Sequence, residues 1–109
     1  MATVTDEAIE VLKKFLKMVE SANISIEKVI LFGSYAKGYA GKWSDIDVAI
    51  ISSNFSGIPF YDSKMLNPFL LKIDSRIELH PFRPEDFTEG NDFVREIIKT
   101  GIPVTLPIG

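Results

Sequence analysis

Two apolar runs joined by a glycine-rich segment, "KVILFGSYAKGYAGKWSDIDVAII" at residues 28 to 51, decide the fold expected of this chain. The first run, residues 28 to 32, has the composition of a short strand buried on both faces. The second run, residues 45 to 52, predicts the next strand, and Asp45 and Asp47 stand at its start. Acidic residues are depleted in strands, so this pair needs a physical reason.

Helices and strands alternate through the remaining sequence. Apolar residues at helical spacing predict an amphipathic helix over residues 5 to 21. A second helix is predicted over residues 61 to 72, with Pro68 as a candidate break. The stretch "KIDSRIELHPF", residues 72 to 82, predicts an alternating strand with Asp74, Arg76, Glu78 and His80 on one face. Residues 84 to 100 predict a turn and a last helix, and the proline-containing tail suits an edge strand. The pattern indicates an α/β (α+β) class, with a small sheet flanked by helices.

Composition restricts the classes of protein that fit. A chain of 109 residues with 46% hydrophobic content is expected to form one domain, residues 1 to 109. Cysteine is absent, which excludes disulfides and thiolate metal sites and fits a reducing cytoplasm. The apolar runs are too short for a secretory signal or a membrane span. A net charge of -3 argues against direct binding of nucleic acid.

The Gly33-Ser34 pair follows the first predicted strand directly. Glycine lets another group approach the backbone closely at a turn, and the serine adds a hydroxyl. The next residues can form one helical turn, whose free N–H groups would point back to the same place. This combination suits a phosphate cradle, while an ordinary strand-to-helix turn explains the pair equally simply.

The aspartates suggest a cation site. On one strand, Asp45 and Asp47 would point to the same face about 7 Å apart, and Mg²⁺ prefers such oxygen ligands. The alternatives are a solvated strand edge, or a turn role for Asp45. Glu78 is the candidate third carboxylate, because an adjacent strand could bring it beside Asp47, and Asp74 is its rival on the same predicted face. A surface ion pair of Glu78 with Arg76 is the simpler explanation.

Lys37 and His80 lie near the candidate site, and each also has a purely structural explanation. Lys37 could neutralise phosphate charge, or it could be a solvated lysine of the turn. His80 shares the predicted face of Glu78 and could touch phosphate or support a ligand. A structural role is favoured for it, because it lies beside a proline near the strand end.

The motif "GSYAKGYAGKWSDIDVAI" resembles the signature of the DNA polymerase beta-like nucleotidyltransferase superfamily, in its smallest branch, the minimal nucleotidyltransferases. The likeness is strong over residues 28 to 52 and moderate over residues 73 to 80. It implies a small mixed β-sheet and a two-metal transfer of a nucleoside monophosphate from a nucleoside triphosphate. ATP is the expected donor, Mg²⁺ the expected metal and a hydroxyl the expected acceptor.

The resemblance also implies roles for individual residues. Gly33 and Ser34 would hold the β- and γ-phosphates, and Lys37 would neutralise their charge. Asp45, Asp47 and Glu78 would be the metal ligands, and Glu78 would help to deprotonate the acceptor hydroxyl. Glutamate replaces the commoner third aspartate of the family, so the geometry of the second metal is less well defined.

The expected partner follows from the same resemblance. Larger members add a domain that covers the base and the acceptor, so a partner or a second copy of this chain would supply that wall. Minimal nucleotidyltransferases are commonly antitoxins paired with a helical HEPN toxin, and some transfer AMP to a tyrosine of that toxin. One alternative is a non-catalytic module that neutralises such a partner by contact. A phosphohydrolase with an Asp-x-Asp nucleophile ranks third, because in that fold the acids usually follow their apolar strand.

Overall fold

The protein is described by a computed structural model over residues 4–41, 44–74 and 76–105. Within these ranges the helices are α1 (Val4–Ser21), α2 (Ser34–Lys37), α3 (Pro59–Ile73) and α4 (Asp92–Thr100), and Pro84–Asp86 form a short 3₁₀ turn. The strands are β1 (Lys28–Phe32), β2 (Ile46–Ile51), β3 (Ile77–Phe82) and β4 (Ile102–Pro103). None of the helices in these ranges is both long and apolar enough to cross a membrane.

The four strands form one mixed sheet in the order β3-β2-β1-β4. Strand β1 pairs antiparallel with both β2 and β4, whereas β2 pairs parallel with β3. The mixed α/β fold predicted from the sequence is therefore confirmed. The short strand β4 lies at one edge of the sheet. Its proline favours this position, because proline has no N–H group to donate to a neighbouring strand.

The sheet buries different side chains on its two faces. Side chains of β1 and β2 that alternate along the chain, such as Leu31 and Val48, pack with Leu12 and Leu16 of α1 and with Leu66 of α3. The opposite face carries a second apolar cluster that includes Ile97 of α4. Strand residues point alternately to opposite faces of the sheet. A strand residue that lies between two residues of the α1 and α3 face therefore points toward α4.

The segment between α3 and β3 differs from the sequence prediction. Helix α3 continues through Pro68 to Ile73, and the backbone N–H of Asp74 still donates to the Leu70 carbonyl at 3.0 Å. Strand β3 begins only at Ile77. The placement of Asp74 and Arg76 on the strand face of Glu78 was therefore wrong. The helical hydrogen bonding of the residues before Asp74 overrides the short alternating pattern.

Candidate active site

The register of the sheet brings the predicted acids of two strands together. Asp47 is the direct partner of Glu78 in the parallel pairing of β2 with β3. Both side chains point to the α4 face, and His80 follows on the same face of β3 two residues later. One ligand atom from each of Asp47, Glu78 and His80 lies within 4.8 Å of the others. The structure thus brings Glu78 to Asp47, as the sequence suggested, and adds the histidine.

Gly33 closes this cluster from the side of β1. Phe32 is the register partner of Asp47, so the turn at Gly33 lies directly beside the carboxylate. Gly33 has φ 73° and ψ -146°, a conformation that residues with a side chain rarely adopt. A Cβ atom at this position would collide with the Asp47 carboxylate oxygen and lie 3.2 Å from its Cγ atom. The close approach expected at this glycine is made by Asp47 itself.

His80 is held by aromatic rings rather than by hydrogen bonds of its Nε2 atom. Its ring centroid lies 5.0 Å from that of Phe32 and 5.6 Å from that of Phe93 in α4. The Nε2 atom is buried and has no hydrogen-bond partner among the described residues. It lies 3.6 Å from Asp47 Oδ1 and 4.0 Å from Glu78 Oε1, beyond hydrogen-bond distance of either.

The two carboxylates repel each other in this arrangement. A side-chain hydrogen bond with Asp47 raises the pKa of Glu78 first, and partial burial and the negative charges of Asp47 and Asp45 raise it further. His80 opposes this shift. A proton shared between two close carboxyl groups is the usual way for such a pair to avoid two negative charges. A cation could take the place of that proton.

The remaining predicted site residues lie around the cluster. Asp45 immediately precedes β2 and is exposed, outside the group of three, but close enough for its charge to act on Glu78. Ser34 begins α2 and is half-buried. The ammonium of Lys37, at the end of α2, lies 3.7 Å from the Glu96 carboxylate of α4. These side chains border the cluster from the strand start, the turn and the short helix.

Asp74 binds Arg76 rather than the acidic cluster. Its carboxylate accepts hydrogen bonds from the Arg76 backbone N–H at 2.9 Å and from the guanidinium at 2.8 Å. The guanidinium bonds lower the pKa of Asp74, against the opposing effect of burial. Both residues thus stabilise the turn between α3 and β3. The carboxylate that the structure places beside Asp47 is Glu78, not Asp74.

The cluster fits a divalent cation. Carboxylate oxygens and an imidazole nitrogen are common metal ligands, and donor atoms that share one cation at about 2.1 Å lie about 3 to 4 Å apart. The distances from the His80 nitrogen to the two carboxylates fall in this range. The orphaned nitrogen and the repelling carboxylates would both be stabilised by a positive ion between them.

The sequence missed one contributor to this site. Phe93 packs against His80 from α4, more than ten residues later in the chain, and no local pattern marks it. Among the aromatic residues between β1 and β2, Tyr35 is buried in the core and Tyr39 is exposed. Trp43 lies outside the described residues.

Comparison with known proteins gives the class of the chain. A family model described as a nucleotidyltransferase domain matches residues 12–103. This chain therefore belongs to the nucleotidyltransferase domain family, which supports a transferase. A protein of Methanocaldococcus jannaschii, called "Putative protein adenylyltransferase MJ0141", is 44% identical over 101 residues, covering 90% of this chain and 99% of that relative.

Two solved structures share the fold. One is called "a putative nucleotidyltransferase from Sulfolobus solfataricus", with a TM-score of 0.64 and 21% identity, over 94% of this chain and 87% of that chain. The other is a toxin-antitoxin solved with AMP-PNP, with a TM-score of 0.61 and 19% identity, over 86% of this chain and 72% of that chain. At these identities the likeness establishes the architecture.

Proposed function

We propose that this chain transfers AMP from ATP to a hydroxyl group of a partner protein, with Mg²⁺, and that it serves as the antitoxin of a helical HEPN-type toxin. The observation that carries the proposal is the meeting of Asp47 and Glu78 beside the Gly33 turn. The relative called a protein adenylyltransferase supports AMP and a protein acceptor. The similar toxin-antitoxin structure with AMP-PNP supports the nucleotide and the partner.

The proposed roles follow the positions of the side chains. Asp45, Asp47 and Glu78 would hold two divalent ions, which when bound would polarise the α-phosphate and neutralise the leaving pyrophosphate. Gly33 and Ser34 would bind the β- and γ-phosphates where β1 ends. Lys37 would add positive charge after leaving Glu96, a contact between exposed groups that costs little to break.

Glu78 is the proposed proton acceptor. Its carboxylate would take the proton of the attacking hydroxyl, which then displaces pyrophosphate from the α-phosphorus in line. Asp47, its direct partner in the strand pairing, would keep that carboxylate in place.

A partner would complete the site. Asp45 and Glu78 are exposed, so the cluster is open on the side where a base and an acceptor would bind. A helical toxin, or a second copy of this chain, would cover this side and bring the acceptor hydroxyl. Since ATP is the proposed donor, the reaction would take place in the cytoplasm.

Transfer of labelled nucleotide tests the proposal. The chain and the product of its neighbouring gene, where that is a helical HEPN-type protein, are mixed with Mg²⁺ and each nucleoside triphosphate labelled at the α-phosphate. We expect label from ATP on the partner, and a loss of at least about 100-fold in Asp47→Asn, because one metal ligand is removed without a change of shape. Glu10→Gln, which removes an exposed charge of α1, should transfer normally.

The same experiment identifies the non-catalytic alternative. A binding module would transfer no label from any triphosphate, and Asp47→Asn would neutralise the toxin as well as the unmodified chain does. That pair of results would contradict the transferase proposal. Neutralisation that requires both ATP and Asp47 would support it.

A further inference from the structure

The buried nitrogen of His80 is unexplained by the fold alone. His80 is the only histidine of the chain, and its Nε2 atom has no hydrogen-bond partner among the described residues. A buried polar atom without a partner destabilises the folded state. Proteins usually satisfy such an atom with a side chain, a water molecule or a bound ion.

Two aromatic rings pack against the imidazole that carries this nitrogen. They belong to Phe32 and Phe93, and both are edge-on or tilted to it. The Asn91 side chain caps α4 by accepting hydrogen bonds from the backbone N–H groups of Phe93 and Val94. The start of α4, and with it the Phe93 ring, is therefore set independently of the acidic cluster.

The distances favour a shared ion over a hydrogen bond. From Nε2 to the nearest oxygens of Asp47 and Glu78 the separations are 3.6 and 4.0 Å, longer than an N–H···O bond. Donor atoms around a single cation lie about 3 to 4 Å apart. All three ligand atoms face a common space less than 5 Å across.

We propose that His80 Nε2 is a direct ligand of the cation held by Asp47 and Glu78, so that this position of the site has two oxygen donors and one nitrogen donor. The inference rests on the proposed function only in taking the cluster as a cation site. Imidazole is a poor ligand for Mg²⁺ and a good one for Co²⁺, Ni²⁺ and Zn²⁺. The site should therefore prefer these ions to Mg²⁺ more strongly than three carboxylates would.

A single histidine makes ligation directly visible by nuclear magnetic resonance. In ¹⁵N-labelled protein only one imidazole contributes signals, so ¹¹³Cd²⁺ can be added, with and without AMP-PNP, and the Nε2 resonance followed. We expect that resonance to shift and to show coupling to ¹¹³Cd, with the ring proton on Nδ1. Binding of Cd²⁺ that leaves Nε2 uncoupled, or no binding in either arm, would overturn the inference.

Metal affinities of His80→Gln provide the second test. We expect the affinity for Co²⁺ and Zn²⁺ to fall at least about tenfold and that for Mg²⁺ by less than about threefold, because only the nitrogen donor is lost. Asp47→Asn should weaken all three ions, and Glu10→Gln none of them. An equal loss for Mg²⁺ and Co²⁺ in His80→Gln would mean that His80 only positions the carboxylates, which contradicts direct ligation.

The two proposals can fail separately. If ¹¹³Cd²⁺ binds without contact to Nε2 while labelled AMP is still transferred, the ligand inference fails and the transferase stands. If Nε2 is coupled to ¹¹³Cd but no nucleotide is transferred, the cation site stands and the proposed reaction fails.

Discussion

Gly33 leaves no room for a side chain beside the Asp47 carboxylate, although the two residues are fourteen positions apart. Gly33→Ala would place a Cβ atom against the Asp47 carboxylate and would force a backbone with positive φ on a residue with a side chain. We expect a loss of about 1 to 3 kcal/mol in the free energy of unfolding. We also expect at least about tenfold weaker Mn²⁺ binding, because Asp47 must move. Denaturant unfolding and calorimetric titration would measure the two effects.

Gly38 provides the matched control for this substitution. It also has a positive φ, 83°, but no atom lies within 4 Å of the position that a Cβ would occupy. Gly38→Ala should therefore lose about 1 kcal/mol from strain and bind Mn²⁺ unchanged. Equal Mn²⁺ affinities of the two variants would show that the contact at Gly33 does not position Asp47.

Glu78 should cost the cation-free protein stability. Its folded-state pKa lies above its ordinary value of 4.5, so its contribution to stability is present at low pH and is lost as the pH rises through the folded pKa. Glu78→Gln should therefore stabilise the protein at pH 7 in EDTA. The side chain is 56% exposed, so we expect only about 0.5 kcal/mol or less, a rise of about 2 °C in Tm.

With Mn²⁺ bound, the unmodified protein should be more stable than Glu78→Gln. The ion would stabilise the unmodified protein through both carboxylates, whereas the glutamine variant has lost one of them. Thermal unfolding in EDTA and in Mn²⁺, at pH 4 and pH 7, would measure both effects. A Glu78→Gln protein that is less stable in EDTA at pH 7 would contradict the repulsion between Asp47 and Glu78.

Among the secondary-structure elements, the turn from α3 to β3 sets the register that brings Glu78 to Asp47. Asp74 accepts from both the backbone and the guanidinium of Arg76, and the Arg76 carbonyl accepts from the Ile46 N–H at 2.8 Å, next to Asp47. The turn is thereby attached to the start of β2. A substitution in this turn should affect stability without removing a site residue.

Asp74→Asn tests that attachment through its dependence on pH. The pKa of Asp74 is lowered below 3.8 in the folded state, so its contribution is present above that value and is lost as the pH falls through the folded pKa. We expect the variant to be about 1 kcal/mol less stable at pH 7, about 4 °C in Tm, with the difference closing at more acidic pH.

Glu85→Gln is the control for loss of the Asp74–Arg76 ion pair. Glu85 lies 3.9 Å from Arg83 and is 66% exposed, so its loss should change stability by about 0.5 kcal/mol or less at any pH. If Asp74→Asn lost the same small amount as Glu85→Gln, the turn would not depend on the Asp74 carboxylate.

The sequence predicts some elements well because their signals are local. The apolar runs of β1 and β2, the Gly33 turn between them and the amphipathic stripe of α1 depend on neighbours in the chain, and the structure contains all of them. The predicted boundary between α3 and β3 was wrong because the sequence around Asp74 fits both a helical and an alternating pattern. Tertiary contacts decide between such patterns, and one chain does not display them.

The candidate site was likewise predictable only where its signals are local. Glu78 could be placed beside Asp47 because apolar residues flank both acids, so each points away from the same core. The distance between His80 and these acids depends on the parallel register of two strands and on Phe93 from a distant helix. No spacing in the sequence encodes that contact, so His80 could be assigned to the correct face but not to the cluster.

At the scale of the whole molecule, the site is open in the part of the chain that the structure describes. Asp45 and Glu78 are exposed, and the cluster lies at the start of β3, an edge strand of the sheet. Pockets that bind small molecules tightly bury most of the ligand surface. The chain should therefore bind ATP mainly through the phosphates and the cation, without an enclosing wall around the base.

Nucleotide affinity tests this expectation. We expect the isolated chain with Mn²⁺ to bind ATP with a Kd of about 0.1 mM or weaker, and to discriminate ATP from GTP less than about threefold, because phosphates and not the base are recognised. Addition of the proposed helical partner should strengthen ATP binding at least about tenfold and leave GTP binding weaker. Calorimetric titration with AMP-PNP and its guanosine counterpart avoids turnover. Submicromolar, base-selective binding by the chain alone would show that its own residues complete the nucleotide pocket.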